Sequence, residues 1–179
     1  GLAAPETAAR FPVRLLESGP AGGVLAAARI AVQAGFNEVL AFDMGGTTAK
    51  LSVIEGGAPL VTRDFEADRV YRFKRGSGLP IRVPTIDLIE IGAGGGSIAR
   101  LDTLGLLKVG PESSGADPGP ACYGRGGTAP TVTDADLVLG YLDPDFFLGG
   151  ALALDVAAAR AALATLGAQL GQTVEQVAW

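Results

Sequence analysis

The residues best suited to chemistry stand together in one short run, Asp43 to Thr48, between two predicted strands. An aspartate at the end of a strand is a good ligand for Mg²⁺, directly or through water. Gly45 and Gly46 lack a Cβ, so their backbone amides can approach phosphate oxygens closely. Thr47 and Thr48 add hydroxyl donors. The run predicts a site for a nucleotide's phosphates and a metal, although a plain Gly-Gly turn between two strands explains the same residues.

A P-loop is excluded at this position. That motif needs Gly-x-x-x-x-Gly-Lys-Ser/Thr at the start of a helix, whereas Leu51, Val53 and Ile54 continue the pattern of a strand. The arrangement of strand, glycine turn and strand is the one by which actin-like and sugar-kinase-like ATPases hold the phosphate tail of a nucleotide. Lys50 alternates with Thr48 along the second strand, so it faces either the phosphate side or solvent.

A second glycine-rich run follows another predicted strand. It holds Gly92, Gly94, Gly95 and Gly96, and Ser97 comes next. Such a run either aims backbone amides at an anion or offers a flat surface to a ring or a ribose. Close packing of two chain segments explains the same composition. The run is not Gly-x-Gly-x-x-Gly, because a predicted hairpin rather than a long helix follows it.

The loop at 115–127 combines an acid, a thiol, an aromatic ring and a guanidinium, from Asp117, Cys122, Tyr123 and Arg125. Cys122 has no histidine in this chain to activate it as a nucleophile. Arg125 can bind a carboxylate or phosphate of a ligand, or a salt-bridge partner that organises the loop. The loop is therefore interpreted as a candidate site segment rather than a linker.

The composition excludes several classes of site and partner. The 179 residues include no histidine, which excludes Ser-His-Asp triads, Cys-His dyads and histidine-ligated metals within this chain. A metal would be held by oxygen ligands, as Mg²⁺ is. The net charge of −5 disfavours a nucleic acid partner, and no apolar run is long enough to predict a membrane span. The single cysteine cannot form an internal disulfide, so we expect a cytoplasmic protein.

The remaining pattern predicts an α/β chain with its strands mainly in the first half. Ser18 and Pro20 begin a helix at about 20–34, and a β-meander is expected at about 38–66. The elements expected after it are, in order, a crossing loop or edge strand at Tyr71–Pro84, a strand at Thr85–Ile91, a site loop at 92–97, a hairpin of Ser97–Leu101 with Leu106–Val109, a second site loop at 110–130, and a helical part at 133–179.

The helical part is expected to contain three helices. Thr133 is predicted to cap the first, which runs to about Leu142, and Asp134 and Asp136 favour its dipole. Asp155 begins the second helix, which runs to about Leu166. A third begins at Thr173.

Five segments in this order resemble the hydantoinase A family: Ser18–Gly23, Phe42–Lys50, Gly92–Ala99, Val109–Gly127 and Pro130–Leu139. That family is the ATP-dependent group that includes N-methylhydantoinase, 5-oxoprolinase, caprolactamase and the ketone carboxylases. The resemblance implies one half of an actin-like ATPase fold of ribonuclease-H-like type. Such a half has an antiparallel or mixed sheet, glycine-rich phosphate turns and flanking helices, and here it is a fragment of a larger chain.

In that fold two similar halves each offer an Asp-Gly-Gly phosphate turn, and Asp43–Thr48 match the second. Residues 1–179 are therefore expected to form a single incomplete domain, the central part of a hydantoinase A-type domain, which does not turn over by itself. The family resemblance also implies a hetero-oligomer in which a hydantoinase B-type subunit or domain is the partner.

The implied reaction is the opening of a small cyclic amide after ATP, with Mg²⁺, has phosphorylated its oxygen. Asp43 would position Mg²⁺ or the attacking water, and Asp117 with Arg125 would shape the substrate or phosphate side as further catalytic residues. The implied nucleotide-binding residues are Asp43, Gly45, Gly46, Thr47, Thr48, Lys50, Gly92, Gly94, Gly95, Gly96 and Ser97.

Two alternatives remain open. The first is an ATP-dependent ketone carboxylase subunit, which would use the same phosphorylation. The second is a nucleotide-binding structural subunit whose catalysis lies on a partner. In 5-oxoprolinase-like members of the family an acidic residue stands near the position of Lys50, so this departure favours the hydantoinase, lactamase or carboxylase branch.

Overall fold

The computed structural model describes residues 3–67, 70 and 76–179. Its contacts divide the chain into two compact units. The first unit contains the chain up to Asp43 together with Lys50–Glu90, and the second contains Met44–Ala49 together with Ile91–Trp179. The run of candidate residues at 43–48 therefore crosses the boundary between the two units. The prediction of a single incomplete domain for residues 1–179 stays a prediction.

The first unit begins with helices and continues with short strands. The helices are α1 (Pro5–Arg10), a 3₁₀ turn (Pro12–Leu15) and α2 (Ser18–Gln33). The strands are β1 (Val39–Met44), β2 (Ala49–Glu55), β3 (Ala58–Pro59), β4 (Val61–Thr62), β5 (Phe65–Ala67), β6 (Leu79–Ile81), β7 (Thr85–Ile86) and β8 (Ile89–Ile91).

Helix α2 covers one face of the sheet in this unit. Val24 and Ala28 on the helix pack against the buried Ile54 of β2, with Val39 and Ala41 of β1 at the edge of the cluster. The helix begins at Ser18, two residues before the predicted start, and Gly35 follows its end with φ +85°. The predicted helix is therefore confirmed with a slightly earlier start.

The β-meander expected at about 38–66 is only partly present. In the described part of the chain β1, β2 and β3 lie side by side, and β8 also pairs with β2. The next two strands leave this sheet: β4 pairs with β7, and β5 pairs with β6. The predicted edge strand at Tyr71–Pro84 is thus present as β6, and residues 71–75 lie outside the described residues.

The single strand predicted at Thr85–Ile91 is wrong, because Asp87 interrupts it. The Asp87 N–H donates to the Leu60 carbonyl at 2.9 Å, and the Asp87 carbonyl accepts from Ser52 Oγ at 3.0 Å. These bonds turn β7 and β8 to different partners. Such long-range partners leave no trace in local periodicity.

The second unit contains a hairpin and a group of helices. Its elements are β9 (Ser97–Leu101), β10 (Leu107–Ser113), a 3₁₀ turn (Ala121–Tyr123), α3 (Val132–Val138), an irregular 3₁₀ segment (Phe147–Gly150), α4 (Val156–Leu170) and α5 (Val174–Ala178). The antiparallel pair of β9 and β10 confirms the predicted hairpin. At its turn Asp102 Oδ1 accepts from the N–H groups of Leu104 and Leu106, both at 2.9 Å.

Helix α3 starts earlier and ends earlier than the sequence predicts. A capping box of Thr131 and Asp134 begins it, in place of the predicted Thr133 cap. Gly140, with φ +80°, terminates it well before Leu142, because a glycine readily adopts the left-handed conformation that closes a helix. The predicted caps Asp155 and Thr173 do begin α4 and α5.

The α/β class with antiparallel sheets and flanking helices is confirmed. In the second unit the core consists of Cys122, Leu137, Leu154 and Ala159, all buried. None of the helices in the described part of the chain combines the length and the apolar character needed to span a bilayer.

Candidate functional site

The turn after β1 is closed by one hydrogen bond, from the Gly45 N–H to the Thr48 carbonyl at 2.9 Å. Gly45, Gly46 and Thr47 are exposed, and Thr48 is half-buried. Within the described residues, the amides of Gly46 and Thr47 donate to no other protein group. The turn therefore presents two backbone donors that a phosphate oxygen can accept from, as the sequence predicts for this motif.

The second glycine run packs directly against this turn, inside the second unit. The Gly95 N–H donates to the Gly45 carbonyl at 2.9 Å, and the Gly96 N–H donates to the Gly46 carbonyl at 2.8 Å. A Cβ on Gly94 would lie 2.5 Å from the Gly45 carbonyl oxygen, so no other residue fits there without a shift. Backbone hydrogen bonds and close packing thus join the two segments.

The amides of this second run are largely used within the protein. Besides Gly95 and Gly96, the Gly94 N–H donates to Ser97 Oγ at 2.8 Å, and the Ser97 N–H donates to the Gly94 carbonyl. The close-packing explanation therefore holds for these four amides. Any contact of Gly92 or Gly94–Ser97 with a nucleotide stays a prediction.

The carbonyls of the same run connect it to the hairpin and to α3. The Gly95 carbonyl accepts from the Thr133 N–H and from Thr133 Oγ1, both at 2.8 Å. The Gly96 carbonyl accepts from the Ser114 N–H at 2.8 Å and from Ser114 Oγ at 3.2 Å. The position of the turn is therefore set by three segments that are distant from it in sequence, namely the glycine run, Ser114 and Thr133.

Asp43 lies at the edge of a small cleft in the first unit. The volume of the cleft is about 200 Å³, and its walls are α2, β1, β2 and the segment before β8. The lining residues are Pro20, Gly23, Val24, Ala27, Ala41, Phe42, Asp43, Lys50 and Leu88. Pockets that enclose a whole ligand usually measure about 300–1,000 Å³. This cleft fits a metal ion with a phosphate group better than an entire nucleotide.

Gly23 of α2 lies next to the Asp43 side chain. A Cβ on Gly23 would lie 3.9 Å from Asp43 Oδ2, whereas one on the neighbouring Gly22 would meet nothing within 4 Å. The sequence had indicated only that the small residues of α2 allow close packing or face an anion. The structure adds that one of these glycines faces the candidate metal ligand.

Lys50 extends from β2 toward the same cleft, but its amino group is already paired. Its Nζ lies 2.9 Å from Glu17 Oε2 and 3.0 Å from Glu90 Oε1. Burial disfavours the charge on Lys50, but the hydrogen bonds and charges of the two glutamates outweigh that effect, so the pKa of Lys50 is raised. Sequence reasoning missed both partners, which stand 33 and 40 residues away.

Arg125 and Asp117 lie on the exposed loop of the second unit. The Arg125 guanidinium donates to the Ala116 carbonyl at 3.2 Å and stacks over the Tyr123 ring at 5.9 Å. Asp117 is exposed next to this contact. Arg125 organises its own loop in this way, and the catalytic roles of both residues stay predictions.

Asp134 is a structural centre of this loop. It is fully buried and accepts from the N–H groups of Cys122 at 2.8 Å, Ala121 at 3.3 Å and Thr131 at 3.0 Å, and from Thr131 Oγ1 at 2.7 Å. The spacing Thr-x-x-Asp is the sequence signal for the cap, but nothing local indicates the bonds to the loop.

Cys122 is buried in the core of the second unit. Burial, together with the nearby Asp134 carboxylate, raises the pKa of the Cys122 thiol to about 12. A thiol with such a pKa is protonated at neutral pH and is a poor nucleophile. This agrees with the absence of an activating histidine.

The sequence profile of the hydantoinase/oxoprolinase family matches residues 1–179. The chain belongs to this family. Caprolactamase subunit alpha of Pseudomonas jessenii is 44% identical over 167 residues, which are 93% of this chain and 23% of that protein. Acetophenone carboxylase gamma subunit of Aromatoleum aromaticum is 40% identical, over 92% of this chain and 22% of that protein.

Two solved structures share the fold of this family member. The ATP-dependent caprolactamase of Pseudomonas jessenii matches with a TM-score of 0.70 and 43% identity, over 90% of this chain and 22% of that chain. The nucleotide-free acetone carboxylase matches with a TM-score of 0.71 and 33% identity, again over 90% and 22%. The expected α/β fold, as part of a larger chain of this family, is thereby confirmed.

The chain spans about a quarter of the length of the curated relatives it matches. The part of it that the structure describes holds no group of three or more His, Cys, Asp or Glu side chains placed to bind a metal ion. Asp43 is therefore not part of such a group. This suits Mg²⁺, which is commonly bound through one or two carboxylates and the phosphates of its substrate.

Proposed function

We propose that this chain carries part of the ATP site of an enzyme that opens a cyclic amide, such as a hydantoin, a lactam or 5-oxoproline. The observation that carries the proposal is Asp43, which lines a cleft and stands directly before a turn that presents the amides of Gly46 and Thr47. Membership of the hydantoinase/oxoprolinase family and the likeness to an ATP-dependent caprolactamase support it.

ATP would transfer its γ-phosphoryl group to the amide oxygen, with ADP as the leaving group, and so make the amide carbon more electrophilic. Water would then add to that carbon, and the ring C–N bond would break as the nitrogen takes up a proton. Hydrolysis of the resulting acyl phosphate would release phosphate. An unstrained amide hydrolyses slowly, and this activation needs no acid or base histidine, in keeping with a sequence that has none. In this proposal Asp43 holds Mg²⁺, and the amides of Gly46 and Thr47 with the hydroxyls of Thr47 and Thr48 hold phosphate oxygens. Gly45 shapes the turn, because its amide donates to the Thr48 carbonyl.

The remaining assignments are part of the same proposal. Gly92 and Gly94–Ser97 support the phosphate turn from behind and border the nucleotide. Asp117 and Arg125 face the substrate or phosphate side. The chain works in a hetero-oligomer with a hydantoinase B-type subunit or domain, as supported by relatives that are named as subunits. We also propose a cytoplasmic location, because the single cysteine cannot form an internal disulfide.

The test is Asp43→Asn in the complete enzyme with its partner. Without the carboxylate Mg²⁺ loses its protein ligand, so ATP-coupled turnover of the cyclic amide should fall by about 100-fold or more. The matched control is Asp64→Asn, which alters an exposed acid of the same unit and should leave turnover unchanged. Full turnover by Asp43→Asn would overturn the proposed function.

A second candidate function is that of an ATP-dependent ketone carboxylase subunit. It is supported by the likeness to acetophenone carboxylase and to acetone carboxylase. ATP consumption that requires bicarbonate and a ketone, and that a cyclic amide does not stimulate, would favour this function. If Asp43→Asn and an Arg125 variant both bind ATP less tightly yet turn over normally, the chain is a structural nucleotide-binding subunit instead.

A further inference from the structure

We propose that Lys50 is a positioning residue that acts through Glu17 and Glu90 to hold the wall of the cleft beside Asp43. The inference rests on the proposed function for its assignment of Asp43. It differs from the sequence prediction, in which Lys50 itself contacts the nucleotide. All of the residues concerned lie in the first unit.

The ion-pair cluster of Lys50, Glu17 and Glu90 joins separate elements of the first unit. Glu17 immediately precedes α2, Lys50 lies on β2, and Glu90 lies on β8. The two Nζ to Oε distances of 2.9 and 3.0 Å place the ammonium between both carboxylates. Lys50 therefore connects β2 to β8 and to the residue that precedes α2, and α2 and β2 are two of the elements that line the cleft.

The backbone of Glu17 has an unusual conformation. It has φ 57° and ψ 27°, a left-handed conformation that is uncommon for a residue with a side chain. Its carbonyl accepts from the Ala21 N–H at 3.0 Å and so forms part of the first turn of α2. Such a conformation persists only where its surroundings hold it. In this proposal the bond from Lys50 to the Glu17 carboxylate contributes to holding it.

The first turns of α2 lie at the cleft. Pro20 and Gly23, in the first two turns of α2, line the cleft, and Gly23 faces Asp43. A shift of the start of α2 would therefore move the wall opposite the proposed metal ligand. Displacements of about 1 Å at such a wall are enough to lower catalysis strongly.

The ion-pair cluster has more negative than positive charge. One ammonium and two carboxylates carry a net charge of −1, so the cluster does not attract a phosphate as a free lysine would. The Lys50 side chain is only 15% exposed, which makes the pair with Glu17 more persistent than a surface ion pair. The raised pKa of Lys50 keeps the ammonium charged throughout the working pH range.

The experiment compares Lys50→Met, Lys50→Arg, Glu17→Gln and the double variant Lys50→Met with Glu17→Gln, all in the complete enzyme with its partner. We measure kcat and KM for Mg²⁺-ATP well below each variant's thermal midpoint. Lys50→Met and Glu17→Gln should each lower kcat/KM about tenfold. The double variant should be no worse than either single one, and Lys50→Arg should retain most of the activity. The control Lys108→Met, which removes an exposed pair with Asp102, should match the wild type.

Glu17→Gln separates this inference from direct nucleotide contact. If Lys50 bound phosphate, Glu17→Gln would free its amino group from one of its two carboxylates, and KM for Mg²⁺-ATP would stay the same or fall while Lys50→Met raised it. That outcome overturns the inference, and so does unchanged kcat/KM in both single variants. Loss of folding in Lys50→Met leaves Glu17→Gln as the deciding variant. The proposed function fails separately, through full activity of Asp43→Asn.

Discussion

Cys122 and Asp134 form a buried pair that is structural rather than catalytic. The Cys122 N–H donates to Asp134 Oδ1 at 2.8 Å, and neither side chain is exposed to solvent. The Asp134 carboxylate accepts four hydrogen bonds, which offset the free-energy cost of burying it. The pair fixes the loop that carries Arg125 to the start of α3.

We predict that Cys122 makes the stability of the protein fall at alkaline pH. Its thiol has a pKa of about 12 when folded, against an ordinary value of 9.0. Above pH 9 the unfolded chain loses this proton while the folded chain keeps it. The contribution is therefore present below pH 9 and lost as the pH rises to about 12.

Denaturant unfolding of wild type and Cys122→Ala at pH 8 and pH 10 measures this effect. The wild type should lose about 1 kcal/mol more than Cys122→Ala between the two values. Equal losses in the two proteins would show that the thiol titrates normally. Cys122→Ala should keep the turnover of the complete enzyme, and a loss of more than tenfold without unfolding would reopen a role as nucleophile.

At the scale of elements, the turn at Gly45–Thr48 is held in place by the glycine run Gly94–Gly96, which packs against it. A Cβ on Gly94 would lie 2.5 Å from the Gly45 carbonyl oxygen, and one on Gly96 would lie 3.0 Å from the Gly46 carbonyl oxygen. A Cβ on Gly95 would instead lie 2.8 Å from Thr133 Oγ1. Hydrogen bonds from Thr133 and Ser114 hold the run in turn. The run therefore determines the shape of the turn, and this role requires glycine independently of any ligand.

We predict that Gly94→Ala destabilises the second unit while Gly46→Ala does not. The new Cβ of Gly94→Ala would lie 2.5 Å from the Gly45 carbonyl oxygen and 2.7 Å from the Thr47 nitrogen, both backbone atoms. Overpacking of this kind costs about 1–3 kcal/mol. A Cβ on Gly46 would meet nothing within 4 Å, so Gly46→Ala should stay within about 0.5 kcal/mol of the wild type.

Chemical denaturation of both variants, with intrinsic fluorescence and circular dichroism as probes, gives the two free energies of unfolding. Equal values for Gly94→Ala and Gly46→Ala would mean that the loop and the turn are not packed together as described. A folded Gly94→Ala should also bind Mg²⁺-ATP less tightly in the complete enzyme, since the turn that presents the Gly46 and Thr47 amides would be displaced.

At the scale of the whole molecule, helix α2 covers one face of the sheet in the first unit, and apolar side chains of its strands are exposed in the described structure. Val39 and Ala41 of β1 pack toward α2, whereas Leu40 and Phe42, which alternate with them, are each 59% exposed. Ile89 on β8 is also 59% exposed. Strands that are apolar on both faces are typical of sheets that are covered on both sides. The matched relatives are about four times as long as this chain, so they have ample sequence to provide such a cover.

We predict that the chain of residues 1–179, prepared alone, self-associates through this face. Exposed contiguous apolar surface drives association because its burial removes it from water. Leu40→Lys should shift the chain toward monomers in sedimentation velocity at several concentrations. The matched control is Leu104→Lys, which changes an exposed leucine at the hairpin turn of the other unit. Association that responds equally to both variants, or not at all to Leu40→Lys, would contradict this assignment.

Local features of the fold could be read from the sequence because their causes are local. The helix from Ser18, the hairpin around Asp102 and the helices that begin after Asp155 and Thr173 depend on caps, turns and periodicity over a few residues. The run at 43–48 could likewise be recognised as a turn with backbone donors. The placement of α3 was less accurate, since two threonines two residues apart compete for one cap.

The order of the residues by itself determined the α/β class, the family and the position of the glycine turn at Gly45–Thr48, because these depend on residue types at short spacing. Only the tertiary structure decided that Gly95 and Gly96 use their amides on Gly45 and Gly46, and that two glutamates bind Lys50. Such pairings join residues tens of positions apart. They are selected by the packing of whole elements, so no local pattern in the chain contains them.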